Sequence, residues 1–387
     1  MSDYMPVEAI LKILSTLPIK SVVKCRSVCK SWNTLISNPS FILAHLQASL
    51  SNNTPILLIG CEKHSRETLS LHHDNDGFDK LKQLPFPPFV VGSCNGLICV
   101  QLDYYDYDLD FVLWNPSIQN YISLPQANIC EVEHFNVGFG FDSRTNDYKL
   151  LILGVDKDGS WIEPYLFSLN ENCWKRVNAF STNYDFLPVP LHFVNGAVHW
   201  LGYQKRNSGG HSHVILGFDL SAEVFSVISL PQSLTGFSPF DLSIMKYGES
   251  SFVVSIDPLI EEFHELWVMK EYGGVESWTK VLTLYRVDRY ASIPRVLGFR
   301  KNGKVLLEVD DGKMTSLDLN SQQVGASLDL NCELMEFHGV EVGADILSLN
   351  SYVKSLVLLD KAVDVSSESD VNHPIDSSDS DESIGGD

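Results

Sequence analysis

The histidines are the side chains whose spacing most directly suggests chemistry. His72, His73 and Asp74 are consecutive, and His211 and His213 flank a single serine. Imidazole and carboxylate groups are common metal ligands, and residues two apart in a strand share one face. Glycine, asparagine and serine beside His211 favour an exposed loop, however. We interpret His72, His73 and Asp74 in the same way. We therefore predict no metal site at either place.

No motif of a known catalytic site accompanies these histidines. The sequence lacks a Gly-x-Ser-x-Gly elbow, a P-loop and a His-Glu-x-x-His pair. "VGFGFD" contains Gly138 and Gly140 but no third glycine and no following helix, so it predicts a strand rather than a dinucleotide loop. We predict a non-catalytic protein without a cofactor. An enzyme on the same scaffold is a rival that bound metal would revive.

The cysteines indicate a reducing compartment. No Cys-x-x-Cys pair occurs, and most thiols lie within apolar runs, which predicts free, buried cysteines. The eight are Cys25, Cys29, Cys61, Cys94, Cys99, Cys130, Cys173 and Cys332. The N-terminus lacks the layout of a signal peptide, and no run of eighteen apolar residues is present. We expect a cytoplasmic or nuclear protein that does not enter a membrane.

Aromatic residues gather in one acidic segment. Residues 103–111, "DYYDYDLDF", hold three tyrosines and four aspartates. The segment is either a solvated hairpin loop or an acidic rim that contacts a substrate, since tyrosine is enriched at interfaces. The candidate rim residues of this segment are Tyr104, Tyr105 and Tyr107, and Trp161, Tyr184 and Tyr203 are further candidates from similar loops.

Charge is distributed unevenly along the chain. The formal net charge is −21, but residues 1–50 carry five basic and two acidic side chains. The negative body excludes nucleic acid as its partner and favours a basic protein. Residues 362–387 are predicted to be disordered because they are acidic and poor in apolar residues. Ser367 and Ser378 each precede an aspartate by three residues, which suits an acid-directed kinase, although the tail can equally be only solubilising.

The N-terminal region predicts three or four short helices. Apolar residues recur at helical spacing from Val7 to Leu17, and a second stripe begins at Ile19. "SNPSF" at 37–41 interrupts the pattern, and the boundary lies within residues 48–55. So few residues form only a very small core.

The region from 54 to 360 predicts strands with a repeat. Five hairpin-like segments begin at Leu113, Leu166, Phe218, Leu266 and Leu317, with intervals of 53, 52, 48 and 51 residues. A weaker copy begins near Leu69. Asn-Gly pairs in three intervening segments suit type I′ turns.

Two hairpins in about 50 residues correspond to one blade of a β-propeller. We predict five or six blades, closed by pairing of residues 55–60 with 352–360. An irregular β-sandwich is the alternative, but a sandwich rarely keeps a fixed period over this length. The predicted fold class is α+β and multidomain: helices over residues 1–48, an all-β propeller-like domain over 49–361, and a disordered acidic tail over 362–387.

Residues 5–46 resemble an F-box. The matching motifs are Met5-Pro6, "LPIKS" at 17–21, "RSVCKSW" at 26–32 and "PSF" at 39–41. Methionine replaces the usual leucine at position 5, and Val22-Val23-Lys24-Cys25 replaces a more usual Leu-Leu-x-Phe. The remainder is similar to the F-box-associated domains of plant F-box proteins, through "GSCNGLICV", "LWNPSIQNYISLP", "VGFGFDSRTNDYKLL" and "VNGAVHWLG". Together these resemblances span about 90% of the chain, all but the tail.

The resemblance implies a substrate-recognition subunit of an SCF-type ubiquitin ligase. Its helices would bind a Skp-type adaptor, which joins cullin and ring-finger subunits, and its β domain would hold the protein to be degraded. The implied adaptor-binding residues are Pro6, Ile10, Leu14, Leu17, Pro18, Ile19, Lys20, Val22, Val23, Lys24 and Trp32. Two exposed apolar edges are expected to enter a groove of the adaptor, one formed by Pro6 and Ile10 and the other by residues 17–19 with Val22 and Val23. A glycan-binding, lectin-like F-box protein is the alternative.

Overall fold

The computed structural model describes most of the chain, with gaps at the connections between strands. The described residues are 5–52, 56–63, 66–75, 77–85, 89–102, 109–127, 129, 134–155, 163–178, 184–187, 191–206, 210–256, 263–285, 293–309, 313–319, 340–341 and 345–361. Several predictions lie outside this part: the rim residues Tyr104, Tyr105, Tyr107 and Trp161, the serines Ser367 and Ser378, and the disordered tail.

Four helices form the N-terminal unit. They are α1 (Val7–Ser15), α2 (Ile19–Cys25), α3 (Lys30–Ile36) and α4 (Pro39–Asn52). Pro6 and Pro18 directly precede α1 and α2 with φ of −56° and −58°, a backbone angle that suits a helix start. The last helix continues to Asn52, four residues beyond the predicted end of the helical region.

The rest of the described chain is built from strands. In chain order they are β1 (Ile56–Lys63), β2 (Arg66–His73), β3 (Lys80–Leu84), β4 (Val90–Cys94), β5 (Leu97–Gln101), β6 (Phe111–Asn115), β7 (Asn120–Ser123), β8 (His134–Asp142), β9 (Asp147–Val155), β10 (Tyr165–Ser168), β11 (Cys173–Arg176) and β12 (Asp185–Phe186). They continue as β13 (His192–Val194), β14 (Ala197–Lys205), β15 (His211–Asp219), β16 (Val224–Ser229), β17 (Leu242–Tyr247), β18 (Ser251–Ile256), β19 (Phe263–Met269), β20 (Trp278–Tyr285), β21 (Arg295–Phe299), β22 (Val305–Val309), β23 (Lys313–Leu317), β24 (Val340–Glu341) and β25 (Asp345–Tyr352).

These strands form six antiparallel sheets, the blades of a propeller. Blade 1 has the order β25-β1-β2-β3, and blades 2 and 3 are β4-β5-β6-β7 and β8-β9-β10-β11. Blade 4 is built from β12 to β16, blade 5 is β17-β18-β19-β20, and blade 6 is β21-β22-β23-β24. The first strand of each blade contacts its counterpart in the next blade, and β25 contacts both β4 and β21, so the ring is closed. The predicted propeller is confirmed, and the segments that begin at Leu113, Leu166, Phe218 and Leu266 are outer hairpins of blades 2 to 5. The segment at Leu317 begins at the end of β23, and most of it lies outside the described residues.

The ring closes through a composite blade, as predicted, but with a different strand. β1 pairs antiparallel with β25, and Ile56 lies opposite Tyr352. The predicted partner, residues 352–360, contributes only its first residue to this pairing. Residues 353–361 instead leave the sheet, and their apolar side chains are buried elsewhere.

Two of the three Asn-Gly pairs make the expected turn. Asn95 and Gly96 have φ of 52° and 83°, and Asn195 and Gly196 have 52° and 80°, as a type I′ turn requires. At the third pair only Gly303 has a positive φ. There the side chain of Asn302 accepts a hydrogen bond from the backbone N–H of Lys304, and the turn is longer.

The sequence phrase "VGFGFD" has a structural role in blade contact. It lies in β8, the inner strand of blade 3. A Cβ on Gly138 would lie 2.2 Å from a methyl group of Val198 in blade 4. Glycine therefore allows the two blades to approach each other.

The prediction that the cysteines are buried is only partly correct. Cys61 and Cys99 are buried, and burial raises the pKa of Cys61 to about 11 and that of Cys99 well above its usual range. Cys29 and Cys173 are exposed because they lie at a helix start and in an outer strand. All six described cysteines are free thiols.

Candidate protein-docking surfaces

The helical unit buries part of the predicted adaptor-binding set. Leu14, Ile19 and Val22 are 1%, 7% and 0% exposed, because they pack in the small core of the helices. The prediction that Ile19 and Val22 belong to an exposed edge is therefore wrong, whereas adaptor binding by the set as a whole stays a prediction. An apolar stripe at helical spacing identifies the face that packs inside the protein.

The remaining members of the set lie at the surface or at its edge. Pro6, Pro18, Lys20 and Lys24 are exposed. Ile10, Leu17, Val23 and Trp32 are half-buried against the core. Three apolar side chains outside the predicted set are exposed, namely Val7 at 43%, Ile13 at 50% and Val28 at 64%. Ile13 lies off the apolar stripe, which was a signal for its exposure. Val7 and Val28 follow the helical spacing but lie at the first residue of α1 and beyond the end of α2, so spacing alone did not indicate their exposure.

The segment 353–361, which we call the latch, joins the helices to the propeller. Leu356, Val357, Leu358 and Leu359 are buried in one hydrophobic cluster that contains both helical residues and residues of blades 2 and 3. Each fully buried leucine contributes about 1.5–3 kcal/mol to stability. The latch is thus a shared part of two cores, which fixes how the helices sit on the ring.

Two asparagines of "NPSIQN" hold the latch backbone. Asn115 is fully buried, and its Nδ2 donates to the carbonyl oxygens of Ser355 at 3.0 Å and Val357 at 2.8 Å. The Nδ2 of Asn120 donates to the carbonyl of Leu358 at 2.7 Å. Gly96 allows the latch to pass close by, since a Cβ there would lie 2.3 Å from the Ser355 Oγ.

A cavity of about 300 Å³ lies on the axis of the ring. Inner strands of five blades line it, with Val90 from blade 2, His192 from blade 4, Ser243 from blade 5, Leu297 from blade 6 and Asn350 from blade 1 among them. The first residues of β4, β13, β17 and β21 line the cavity, whereas on β25 the lining residues are Ser348, Leu349 and Asn350, in the middle and second half of the strand. The latch instead passes Gly96, in the turn after the end of β4, so the cavity opens on the face opposite the latch and the helices that pack with it. We call the cavity side the entry face.

The cavity is almost uncharged. Burial lowers the pKa of His192 to about 4 and also lowers that of His213, whose Nε2 lies 3.0 Å from the carbonyl of Phe237. Apart from these neutral imidazoles, Arg295 is the one basic side chain among the described lining residues, and it forms an ion pair with Glu308. The apolar lining therefore sets the chemistry of the cavity.

The two described tyrosines of the predicted rim have different positions. Tyr203 lines the cavity, and burial, with a smaller effect of Asp185, raises its pKa, so its phenol remains a neutral donor. Tyr184 is half-buried and packs in the core between blades.

Sequence reasoning missed Phe240, which is 71% exposed. It follows Pro239, a residue of the cavity wall, in a short 3-10 helix. The Ser238 side chain accepts from the N–H of Phe240, and the Asp241 side chain accepts from the N–H of Ser238. This capping box holds Phe240 in place at the entry face. An isolated phenylalanine in a proline-containing turn was the available signal.

Three members of the histidine clusters, His72, Asp74 and His213, have protein partners. The Nδ1 of His72 lies 2.7 Å from the carbonyl of Phe78, and Asp74 pairs with Arg300. His211 and His213 have ring centroids 6.2 Å apart. Within the described ranges, no group of three potential metal ligands occurs, and no helix is long and apolar enough to cross a membrane.

Lowering the pH from 7.5 to 5.5 is expected to destabilise the protein through its buried histidines. Burial lowers the pKa of His192, His199 and His264 to about 4. The unfolded chain takes up protons near pH 6.5, so it binds more protons than the folded chain and stability is lost as the pH falls from 6.5 towards 4. We expect urea unfolding to show that, between pH 7.5 and 5.5, the free energy of unfolding of His264→Leu falls by about 1.4 kcal/mol less than that of the unmodified chain.

The exposed His134 provides a control for this measurement. His134→Leu should show the same loss between pH 7.5 and 5.5 as the unmodified chain. An equal loss in His264→Leu and the unmodified chain would show that the buried imidazole does not cause the effect.

Two family models match the chain. The model of the F-box domain matches residues 3–43, and the model of the F-box associated beta propeller domain matches residues 32–359. The first match covers most of the helical unit, and the second extends from α3 through the latch.

Relatives come from Arabidopsis thaliana. The F-box/kelch-repeat protein At3g23880 is 27% identical over 363 residues, covering 86% of this chain and 89% of that protein. F-box protein CPR1 is 26% identical over 364 residues, covering 84% and 85%. Among solved structures, Kluyvelomyces marxianus Hsv2 aligns over 73% of this chain and 75% of its own at a TM-score of 0.35 and 11% identity, too low to bear on function. Because the propeller model covers well over half of its length, this chain belongs to the plant F-box proteins with an F-box associated β-propeller domain.

Proposed function

We propose that the protein is the substrate receptor of an SCF-type ubiquitin ligase. The observation that carries this proposal is the division of the molecule into an F-box on one face of a propeller and a cavity on the other. The F-box would bind a Skp-type adaptor, and through it the cullin and ring-finger subunits. The entry face would bind the protein to be ubiquitinated. The receptor itself does no chemistry and acts by positioning its partners.

The F-box surface supports the adaptor role. Val7, Ile13, Val28 and Pro18 expose apolar area without a covering element in the described structure, and such area commonly marks a protein interface. Lys20 and Lys24 are exposed on α2 and would steer the encounter with an acidic adaptor surface.

The latch supports the positioning role. A receptor can hold its substrate at a fixed distance from the ubiquitin-loaded enzyme only if its two binding faces are rigidly joined. Here one hydrophobic cluster includes the F-box, the latch and blades 2 and 3.

Charge supports a basic substrate protein, since the chain carries −21 overall while the F-box region is basic. We also propose a cytoplasmic or nuclear location, and Ser367 and Ser378 as phosphorylation sites of the acidic tail. The glycan-binding alternative is not favoured, because the matching family model is the F-box associated propeller.

Co-expression with a Skp-type adaptor tests the proposed function. The unmodified chain should co-purify with the adaptor, and a Leu17→Ala/Pro18→Ala double variant should lose at least 100-fold in affinity. Leu17 is half-buried and Pro18 exposed at the junction of α1 and α2, so the change removes contact area at the surface.

The matched control is Val224→Ala/Val227→Ala on β16, where the two valines are 55% and 42% exposed on the propeller. This variant should bind the adaptor like the unmodified chain. Circular dichroism should show that both double variants keep their folded helices and strands at the temperature of the binding measurement. If the unmodified, folded chain does not bind the adaptor, the proposed function is wrong.

A further inference from the structure

The axial cavity differs in two respects from a general protein surface. It encloses about 300 Å³ and is lined by inner strands of five blades, which are the most constrained backbone of a propeller. This volume is at the small end of ligand sites and large enough for one long apolar or aromatic side chain. The site is therefore preformed and of side-chain size.

The chemistry of the lining selects against charge. Leu297, Leu349 and Met245 present apolar surface, and the two imidazoles are neutral at physiological pH. The Arg295 guanidinium is already paired with Glu308. A phosphate or carboxylate entering this space would lose its hydration without gaining a cluster of cations, at a large cost in free energy.

The surroundings of the cavity indicate a protein rather than a free small molecule. Phe240 directly follows Pro239 of the cavity wall and is 71% exposed, and a capping box fixes its position. A small molecule inside the cavity would leave this ring in water. A polypeptide with one side chain in the cavity would cover it, as an aromatic residue beside an anchor pocket is covered in interfaces.

We propose that the axial cavity receives one uncharged apolar side chain, of leucine, methionine or phenylalanine size, from the substrate protein. This inference rests on the proposed function and defines the recognition chemistry of its entry face. The cavity selects this side chain by its shape and by the apolar area that it buries, and neither a phosphate nor an acidic group binds in its place. Charge elsewhere on the chain assists the encounter.

Selection from a phage-displayed library of random 12-residue peptides tests the proposal. The target is the full chain in complex with its adaptor, and fluorescein-labelled copies of the selected peptides are measured by anisotropy. The selected peptides should share an apolar residue at one position. Aspartate at that position should weaken binding at least 30-fold.

Ser243→Trp is the matched change in the protein. Ser243 is exposed within the cavity on β17, so an indole there fills the space. Binding should fall at least 30-fold. Ser250→Trp is its control, since Ser250 is exposed at the turn that ends the same strand, on the opposite face. It should bind within twofold of the unmodified chain.

A second measurement uses the unmodified chain and does not depend on the stability of a variant. A photo-reactive leucine at the shared position should crosslink to the cavity wall, for example to the strands that contain Leu297 and Leu349. Crosslinks elsewhere, a shared acidic or phosphorylated residue, unchanged binding by Ser243→Trp, or no selected peptide would each overturn the proposal. Adaptor binding of both variants is measured in parallel, so a failure of the cavity is distinguishable from a failure of the receptor function.

Discussion

Replacing Arg300 by methionine is expected to lower the free energy of unfolding by about 3–5 kcal/mol. Arg300 and Asp74 form an ion pair whose side chains are 4% and 3% exposed. The Nη2 of Arg300 also donates to the backbone carbonyl of Asp74 at 2.9 Å. The variant leaves a buried carboxylate without its cation, which costs far more than the loss of a surface pair.

The location of this pair makes the effect global. Asp74 follows β2 in the composite blade 1, and Arg300 follows β21 in blade 6, so the pair connects the two blades that close the ring. The guanidinium also lies over the ring of Phe78, with its carbon 5.6 Å from the ring centroid. Urea unfolding measures the change, and hydrogen exchange of β1 and β25 should increase together with it.

Two further variants decide whether the buried charge is the cause. Asp74→Leu combined with Arg300→Met should recover a large part of the lost stability, because no unpaired charge remains. Arg176→Met removes a pair with Glu163 whose side chains are 66% and 57% exposed, and it should change stability by less than about 1 kcal/mol. An Arg300→Met effect as small as that of Arg176→Met would contradict the prediction.

Replacing Asn115 by aspartate is expected to lower the free energy of unfolding by a similar amount, about 3–5 kcal/mol. The amide and the carboxylate have nearly the same shape, but the carboxylate has no N–H to donate. It would place negative oxygen beside the carbonyls of Ser355 and Val357, in a fully buried site. The latch should then detach, and with it the packing between the F-box and blades 2 and 3.

Hydrogen exchange of residues 353–361 reports on the latch directly, and urea unfolding gives the free energy. Asn195→Asp is the control, because the exposed Asn195 Nδ2 donates to the Ser250 carbonyl at 3.2 Å and aspartate also tolerates its φ of 52°. It should change stability by less than about 1 kcal/mol. The prediction is wrong if Asn115→Asp unfolds like this control and its latch exchanges no faster.

The repeat in the sequence was sufficient to predict the propeller. Each outer hairpin returns after about 50 residues because each blade must bury one face against the next. The Asn-Gly turns at 95 and 195 were also predictable, since few residue pairs adopt two successive positive φ angles. The F-box motif covers consecutive residues of one small helical unit, and a local motif of this kind can be identified without knowledge of the fold.

Tertiary contacts decided which apolar residues are available for binding. Ile19 and Val22 have the same residue types as Ile13 and Val28, but only the second pair is exposed. The sequence predicts all four in the helical region, and the difference arises from how the four helices pack together. The "YVKSLVLLD" segment was predicted as a strand because it is rich in apolar residues. The latch buries these leucines just as a strand would, so composition does not distinguish the two.

The sequence by itself determined the F-box, the number of residues per blade, the closure through a composite blade and the acidic character of the body. These properties depend on local residue patterns and on composition, and both are visible in the amino-acid sequence. The tertiary structure alone decided that β25 closes the ring, that Asn115 holds the latch, and that Ser243, Leu297 and Leu349 line one cavity. Those residues are about fifty positions apart or more, and only the closed ring brings them together on one axis.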